Sequence, residues 1–475
     1  MEQNYVVYHI HDDKGSLLDS CTKWEDYVDL AASYGMKAIA STNHGYNLNW
    51  TEKKQYAEKK GLKFIVGCEV YLTSEIYHYP EIPDEVYESY QGWDPQEAQE
   101  EIGEMMDAGR YKVRDNFHTI LLCKNARGVL ELNKVMGTSY DADHKYYKPR
   151  ITFEEFFGLS DNIIKISACL ASPLRKYTSE CDGFRQEVYD KLCKTYDYYE
   201  IQYHDCDDQK EYNQYLWELS KKYHKPLIAA TDTHSLNAYK AECRKILMMG
   251  KGIEFTGEDE FDLTFKSYNE LVDAFTVQDA LPREVWMEAI ENTNRMADSV
   301  NDFTLSTKAR YPILTGTSES DARVYIKRTH DMLNDKIHRG IIPEHEVAQF
   351  RADVEEELTV FKKTNMLGFM LSMSDLMIWG KNEGIPFGPS RGSVAGSRCA
   401  FVTDIIDVDP ARWNLVFSRF CNENRVEIGD IDIDVPDAYR PMIYNHIFES
   451  FGREKCAYVL AMGTLAGKAT IDEIG

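Results

Sequence analysis

The sequence predicts an α/β protein in two parts, a distorted (βα)7 barrel followed by an α+β domain. Between Tyr5 and Leu236, short apolar runs alternate with segments whose apolar residues recur three and four positions apart. This alternation is typical of a parallel sheet covered by helices, and about seven such units would close into a barrel. From Glu254 to Gly380 the pattern is mainly helical, and a Gly-rich turn and an acidic strand follow.

Seven apolar runs predict the strands of the first part. They are YVVYH, KAIAST, KFIVGCEV, FHTILLC, NIIKISA, YYEIQY and KPLIAATD. Segments between them, such as KWEDYVDLAASYG and QYLWELSKKYH, have the spacing of amphipathic helices. The stretch from Tyr77 to Arg114 is acidic, rich in Tyr and Met, and fits no unit. We therefore expect a first domain over residues 1–255 with a surface insertion over residues 77–114.

The second part begins with three helical segments, PREVWMEAIENTNRMADSV, EVAQFRADVEEELTVFKKT and SDLMIWGKNEG. The turn PFGPSRGSVAGS and the strand VEIGDIDIDVPD come after them. We expect a second domain over residues 256–460 that includes these connecting helices. The remaining residues, 461–475, read as the start of a helix near Ala466, so we expect an incomplete third element there.

Charge and composition narrow the class of protein. The chain has 54 Lys and Arg against 79 Asp and Glu, a net charge of −25, which argues against broad non-specific binding to nucleic acid but leaves room for a local basic cleft. Its 11 cysteines form no CxxC pair, as is typical of the reducing cytosol. No apolar run has membrane-spanning length, and the N-terminus lacks the features of a signal peptide. We expect a cytoplasmic protein.

Side chains of metal-binding types gather near the ends of the predicted strands. Loops at the C-terminal ends of barrel strands converge on one mouth, and imidazole, thiolate and carboxylate groups suit zinc or manganese. An HxH pair alone is usually an ordinary polar pair, and a Cys that ends a buried strand is usually a small hydrophobe. Here the types occur together, and only His118 lies near the start of its run. The candidate ligands are His9, His11, Asp19, His44, Glu69, His118, Cys169, Asp232 and His234.

These segments resemble the PHP domain at the N-terminus of bacterial polymerase III alpha subunits. The resemblance rests on YHIHDDKGSLLDS, IASTNHG, IVGCEVYL, FHTILLCKN, ISACLAS and ATDTHSLN. It implies that the nine residues hold up to three Zn²⁺ or Mn²⁺ ions in a phosphoesterase or 3′–5′ exonuclease site. Two departures are Asn43, where the family commonly has Asp, and one extra residue in the loop before Asp19. The alternative is a vestigial site whose metals only stabilise the domain.

A possible phosphate site lies in GPSRGSVAGS. Gly392 and Ser393 open a segment whose backbone amides could approach an anionic oxygen, and Arg391 could pair with a phosphate. Such turns are common and also cap helices without any ligand. About 40 residues later Asp430, Asp432 and Asp434 share one face of a predicted strand, where their repulsion calls for a cation. A phosphate turn beside paired carboxylates is what two-metal nucleotidyl transfer requires.

This second part is similar to the palm domain of the same polymerase III alpha subunits, which are C-family DNA polymerases. The resemblance continues through IIDVDP, LVFSRFCNENRVEIGDIDIDVPD and GREKCAYVLAMGTLAGKATIDEIG. By position it implies that Asp430 and Asp432 are catalytic Mg²⁺ ligands and that Arg391, Gly392 and Ser393 bind nucleotide. We expect Asp434 to belong to the alternating strand pattern without binding a metal. Two further arginines, Arg419 and Arg425, also match arginines of the family pattern.

The resemblance implies a nucleotidyltransferase-type palm truncated at the start of the thumb. The implied partners are primer–template DNA, dNTPs and a C-terminal polymerase segment that supplies the third aspartate and the fingers; replication accessory subunits are further candidates, and no membrane is implied. We expect no primer extension by this chain alone. The short acidic form is also consistent with a viral replication protein. Two alternatives are a stand-alone PHP phosphoesterase and a structural docking subunit, each with a relic palm.

Overall fold

A computed structural model describes residues 4–14, 20–79, 84–181, 183–253, 261–304, 306, 310–422, 429–459, 467, 468 and 471. The chain falls into two units. The first is Met1–Thr304 with Leu465–Gly475, and the second is Leu305–Thr464. None of the described helices combines the length and the apolar character that a membrane span requires.

The first unit alternates strands and helices. Its strands are β1 (Ala38–Ser41), β2 (Lys63–Thr73), β3 (Tyr77–His78), β4 (Tyr111–Lys112), β5 (Phe117–Cys123), β6 (Arg150–Thr152), β7 (Ile163–Ile166), β8 (Tyr199–Gln202) and β9 (Leu227–Ala230). Its helices are α1 (Trp24–Ser33), α2 (Trp50–Lys59), α3 (Asp84–Ser89), α4 (Pro95–Gly109), α5 (Ala126–Ser139), α6 (Phe153–Phe157), α7 (Pro173–Lys176), α8 (Gln186–Thr195), α9 (Asp207–Tyr223), α10 (Ala238–Gly250), α11 (Tyr268–Gln278) and α12 (Arg283–Asp298).

The main sheet of this unit has the strand order β1-β2-β5-β7, with β6 also paired to β2. β1 and β6 run parallel to β2, but β5 runs antiparallel to both β2 and β7. The expectation of a wholly parallel sheet is therefore wrong at β5. A continuous apolar run indicates that both faces of a strand are buried. An internal antiparallel strand is buried on both faces just as a parallel strand is, so the run does not reveal strand direction.

Further pairings extend the strand network beyond this sheet. β8 and β9 pair in parallel. Isolated parallel bridges join Val7 to Ile39, Ile10 to Thr233 and Ile166 to Tyr198. The first predicted strand, YVVYH, is thus an extended segment that makes bridges to β1 and to the residues after β9.

The chain between β2 and β5 contains the acidic insertion. β3 and β4 pair in an antiparallel ladder, with Tyr77 opposite Lys112, and α3 and α4 lie between them in the sequence. Asp94 begins α4 because its side chain accepts hydrogen bonds from the backbone amides of Gln96 and Glu97. A proline at the first helical position fits the same start.

The second unit is helical in its described part. Its helices are α13 (Ser318–His338), α14 (Val347–Lys363), α15 (Leu367–Asn382), α16 (Arg398–Val402) and α17 (Arg440–Phe451). Short 3₁₀ turns lie at Glu344–Glu346, Ser393–Gly396, Phe417–Arg419, Asp437–Tyr439 and Arg453–Lys455. Buried Tyr325, Phe350 and Phe361 lie in one apolar core of this unit.

The acidic strand expected in the second unit is reduced, within the described residues, to one antiparallel bridge between Arg391 and Asp432. The predicted alternation of its side chains is present. The aspartates at 430, 432 and 434 are exposed, and Ile431, Ile433 and Val435 are half-buried. No strand forms over residues 429–437, because Arg391 pairs with this described stretch at only one position.

Candidate functional site

Glu69 lies at the centre of the predicted metal cluster. It is fully buried on β2. Its Oε1 is 2.8 Å from Nδ1 of His118 and 3.6 Å from Nε2 of His9. Its Oε2 is 2.5 Å from Nδ1 of His44 and 3.4 Å from Nε2 of His11. One carboxylate therefore lies within reach of four imidazoles.

Asp232 forms a second focus of the same cluster. Its Oδ1 is 3.0 Å from Nε2 of His9, 3.3 Å from Nε2 of His11 and 3.5 Å from Nδ1 of His234. The Asp232 backbone has a φ of 43°, in the left-handed region that is uncommon for a residue other than glycine. Such strained residues tend to occur where the surrounding structure requires a side chain in one place.

The histidine rings pack against one another. The ring of His11 is stacked on those of His44 and His234, with centroids 4.2 Å away in both cases. His9 and His11 belong to the extended first segment and are completely buried. Three rings held at this spacing bring several imidazole nitrogens close together, as binding of a shared cation requires.

The antiparallel direction of β5 explains the position of His118. Since β5 runs opposite to β2, its first residues lie beside the end of β2, with His118 opposite Tyr71. The chain after β7 returns to the same edge, where Cys169 Sγ is 3.8 Å from His118 Nδ1. The backbone amide of His118 also donates to the carbonyl of Ala171, at 3.0 Å. A residue near the start of its strand thus joins residues near the ends of others.

Eight of the nine predicted ligands are described, and these distances and ring contacts connect all eight. Asp19 lies outside the described residues.

Electrostatics in the cluster are dominated by burial and by the opposed charges. Burial opposes the charged form of His9, but Asp232, Glu200 and Glu69 outweigh it and hold the pKa of His9 well above its usual value. Burial and the neighbouring His44 and His234 lower the pKa of His11 to about 3. The cluster therefore mixes strongly basic and strongly acidic sites within a few ångströms.

The carboxylates show the same competition. Burial would raise the pKa of Glu69, but His44, His118 and His9 hold it well below its usual value. For Asp232 the same balance, with His9 the leading partner, also gives a lowered pKa. Both carboxylates are thus favoured in the charged, metal-binding form.

The donor set fits divalent cations. His9 Nε2, Glu69 Oε2 and Asp232 Oδ1 are buried, and none of them makes a hydrogen bond within the described part of the chain. A buried polar atom without a partner lowers the stability of the fold, unless a bound ion or water takes the place of the missing hydrogen bond. Among residues with a described position, three groups have ligand atoms within 4.8 Å of one another: His11, His44 and His234; His9, His11 and Glu69; and His44, Glu69 and His118.

Sequence reasoning did not identify several polar residues around the cluster. Glu200, the single acid in the apolar run YYEIQY, contacts His9 at 2.8 Å. His204 follows the same strand and is buried, and burial lowers its pKa to about 4. Lys53 on α2 forms a buried ion pair with Asp12, the residue after His11. Only Glu200 had a usable signal, a lone carboxylate in an otherwise apolar strand.

In the second unit the predicted phosphate turn lies beside the acidic segment. The Gly388 amide donates to the carbonyl of Asp434 at 2.9 Å. The backbone of Arg391 forms an antiparallel β-bridge with that of Asp432. Arg391 Nε is 3.7 Å from Asp432 Oδ2, and its Nη1 is 3.4 Å from Asp434 Oδ1. Gly392 has a φ of 77°, and a Cβ there would lie 3.2 Å from Asp432 Oδ2. The turn and two of the three aspartates are thus brought together.

Other residues predicted for this region are placed less closely. Ser393 begins the 3₁₀ turn after Gly392 and is half-buried. Asp430 is exposed two residues before Asp432. Arg419 is exposed on another 3₁₀ turn, and Arg425 lies outside the described residues.

A buried carboxylate that the sequence did not reveal supports the chain just after this turn. Glu357 on α14 accepts hydrogen bonds from Ser397 Oγ at 2.7 Å and from the amides of Arg398 and Cys399 at 2.8 and 2.9 Å. Burial is the main reason why the pKa of Glu357 is raised to about 7. Glu357 thereby fixes the start of α16 to α14.

Each part of the chain matches a known protein family. Residues 8–203 match the PHP domain, and residues 326–475 match the bacterial DNA polymerase III alpha NTPase domain. The chain is 28% identical over 484 residues to DNA polymerase III subunit alpha of Borreliella burgdorferi, covering 99% of this chain and 38% of that protein. It is also 28% identical over 498 residues to that of Aquifex aeolicus, covering 100% of this chain and 40% of that protein.

The chain thus spans about two fifths of the length of these curated relatives. Among solved structures, PsfC from Pseudomonas syringae aligns with 49% of this chain and 78% of its own, at 12% identity and a TM-score of 0.28.

Proposed function

We propose that the chain is the N-terminal part of a bacterial-type DNA polymerase III alpha subunit and serves DNA-directed DNA synthesis, which its matches to the PHP domain and to the NTPase domain support. In this role the first unit is a metal-dependent nuclease of DNA 3′ ends, and the second contributes to a nucleotidyl-transfer site. We propose that it acts in the cytoplasm on primer–template DNA and dNTPs.

The gathering of the eight described candidate ligands into one cluster around Glu69 and Asp232 is the observation that carries the nuclease proposal. The residues that would hold up to three Zn²⁺ or Mn²⁺ ions are His9, His11, Asp19, His44, Glu69, His118, Cys169, Asp232 and His234. Divalent metals in such a site polarise a phosphodiester and supply hydroxide near neutral pH. The protein's own part is to bury the ligands and keep their carboxylates charged.

We further propose that the strands of the first unit close into a distorted seven-stranded barrel. The bridges from Val7 to Ile39, Ile10 to Thr233 and Ile166 to Tyr198 support this closure, because they link the first segment, the main sheet and the β8–β9 pair in a ring. A barrel would bring all ligand-bearing ends to one mouth.

In the second unit we propose that Asp430 and Asp432 hold Mg²⁺ and that Arg391, Gly392 and Ser393 bind the phosphates of a dNTP. The adjacency of Gly392 to Asp432 supports this assignment, since the phosphate turn and a metal-binding carboxylate must share one nucleotide. Arg391 pairs with Asp432 and Asp434 in the structure and would exchange these partners for phosphate oxygens. We expect Asp434 to be dispensable for the metal.

The experiment that tests the nuclease proposal combines metal analysis with digestion of a 5′-labelled single-stranded oligonucleotide. We expect at least two equivalents of Zn or Mn per chain. We also expect metal-dependent shortening of the oligonucleotide from its 3′ end. His9→Ala combined with His11→Ala should abolish both. His330→Ala is the matched control, because His330 is half-exposed on α13 and pairs with Glu355.

Two results would count against the proposal. Digestion that survives the His9→Ala, His11→Ala substitutions would show that another site or a contaminant cuts the DNA. Protein that was never exposed to chelator and holds less than one metal ion per chain would remove the centre itself. Metal-dependent digestion without any dNTP binding by the second unit would instead favour a stand-alone phosphoesterase.

A further inference from the structure

Glu200 on β8 is not one of the candidate metal ligands, but its side chain contacts one of them, His9. It is buried, and its Oε1 is 2.8 Å from Nδ1 of His9. The side-chain amide of Gln202 donates to the same oxygen at 2.8 Å, and the hydroxyl of Tyr8 donates to Oε2 at 3.0 Å. Its backbone amide donates to Ser167 Oγ at 2.9 Å. Both carboxylate oxygens are therefore occupied by protein donors.

The contact fixes which nitrogen of His9 faces the cluster. A carboxylate accepts hydrogen bonds, so the proton shared with Glu200 resides on Nδ1 of His9. The opposite nitrogen, Nε2, is directed toward Asp232 at 3.0 Å and Glu69 at 3.6 Å, and it makes no hydrogen bond among the described residues. An imidazole binds a metal through the nitrogen that carries no proton.

We infer that Glu200 is a positioning residue that holds His9 in the tautomer and orientation needed to bind a divalent cation through Nε2. This inference rests on the proposed metal centre and adds a residue to it. Carboxylates that hydrogen-bond the far nitrogen of a metal-bound histidine fix the ring and raise its basicity, and their removal commonly weakens metal binding 10- to 100-fold.

A purely structural role is the competing explanation. In that case Glu200 and Asp232 would clamp His9 from two sides as a buried polar network, and no metal would be involved. The two roles differ in one respect: a structural clamp affects unfolding, whereas a positioning residue also affects metal affinity in protein that remains folded. Tyr8 provides the matched control, since its hydroxyl donates to Oε2 of the same carboxylate, whereas His9 contacts Oε1.

The test measures Zn²⁺ or Mn²⁺ affinity of the whole chain by competition with a chromogenic chelator, together with thermal unfolding, for four proteins. These are the unsubstituted chain, Glu200→Ala, Glu200→Gln and Tyr8→Phe. We expect Glu200→Ala to weaken the tightest site about 10- to 100-fold. Glu200→Gln should lose less, because its amide oxygen can still accept the Nδ1 proton, and Tyr8→Phe should change affinity less than about threefold. Cobalt-substituted protein should show a matching change in its visible absorption for Glu200→Ala.

Equal metal affinity in all four proteins would overturn the inference, and so would an equal loss in Tyr8→Phe and Glu200→Ala. If Glu200→Ala does not fold, the near-isosteric Glu200→Gln alone decides the question against Tyr8→Phe. If the unsubstituted chain itself binds no metal, the proposed metal centre fails, which is a different result from unchanged affinity in the variants.

Discussion

Replacing Lys53 by Met should destabilise the first unit and loosen the segments that bear two of the candidate ligands. Lys53 Nζ lies 2.6 Å from Asp12 Oδ2, and the two side chains are only 1% and 2% exposed. The same ammonium donates to Ser41 Oγ at 3.0 Å. Asp12 directly follows His11, and its amide donates to the side chain of Asn43, the residue before His44.

The size of the effect follows from burial. Removing one partner of a buried ion pair leaves the other charge uncompensated and typically costs about 3–5 kcal/mol. Here Asp12 Oδ1 keeps a hydrogen bond from the amide of Lys14 at 2.9 Å, and a methionine side chain fills most of the lysine volume. We therefore expect Lys53→Met to reduce the free energy of unfolding by about 3 kcal/mol, at the lower end of this range. Urea denaturation followed by circular dichroism measures it.

Lys60→Met is the matched control. Lys60 pairs with Asp29 at a similar distance, 2.7 Å, but the side chains are 38% and 49% exposed. Water screens an exposed pair, so the control should change the free energy of unfolding little. Adding Asp12→Asn to Lys53→Met should recover part of the loss by removing the stranded charge. Equal effects of the Lys53 and Lys60 substitutions would refute the reasoning that burial sets the magnitude.

Three further predictions concern the second unit. Gly392→Ala should cost about 1–3 kcal/mol in urea unfolding, because φ 77° with ψ −159° is a conformation that essentially only glycine adopts, and it should also weaken binding of a fluorescent dNTP. Gly384→Ala has nearly the same φ, 76°, in open space, so it should reduce stability alone. An equal loss of dNTP binding in both variants would contradict the contact with Asp432. Asp430→Ala and Asp432→Ala should each abolish Mg²⁺-dependent dNTP binding in an anisotropy titration, and Asp434→Ala should reduce it much less; equal loss from all three would mean that the ligands are wrongly chosen. The pKa of Glu357 is raised from 4.5 to about 7 in the folded chain, so its stabilising contribution is complete below pH 4.5 and is lost as the pH rises through 7. This corresponds to roughly 3 kcal/mol between those limits, and Glu357→Gln should flatten the pH dependence of unfolding, whereas an unchanged slope would contradict it.

The sequence predicted which side chains gather in the cluster better than it predicted the path of the chain between them. Residue types such as those of His9, Glu69 and Asp232 recur at strand ends, and that local pattern is visible without a structure. Strand direction is not, because an internal strand is apolar on both faces whichever way it runs. The position of His118 could be explained only once β5 was known to be antiparallel.

Supporting residues were harder to foresee for a different reason. Glu200 and Lys53 act through partners that lie 191 and 41 positions away in the sequence, and no local periodicity encodes such contacts. In the second unit, the alternation at Asp430 to Val435 predicted that the aspartates share one face, and their side chains are indeed exposed while those between them are half-buried. It did not predict that pairing is limited to a single bridge, because pairing depends on where a second segment of chain runs.

We propose above that the buried histidine and carboxylate cluster around Glu69 and Asp232 is a centre of several metal ions. Crystals grown without chelator and measured on both sides of the zinc and manganese absorption edges test this most directly. We expect two or three anomalous peaks, each in contact with one of the groups His11, His44 and His234; His9, His11 and Glu69; or His44, Glu69 and His118. No anomalous peak in the cluster, with His9 Nε2 hydrogen-bonded to Asp232 instead, would contradict it.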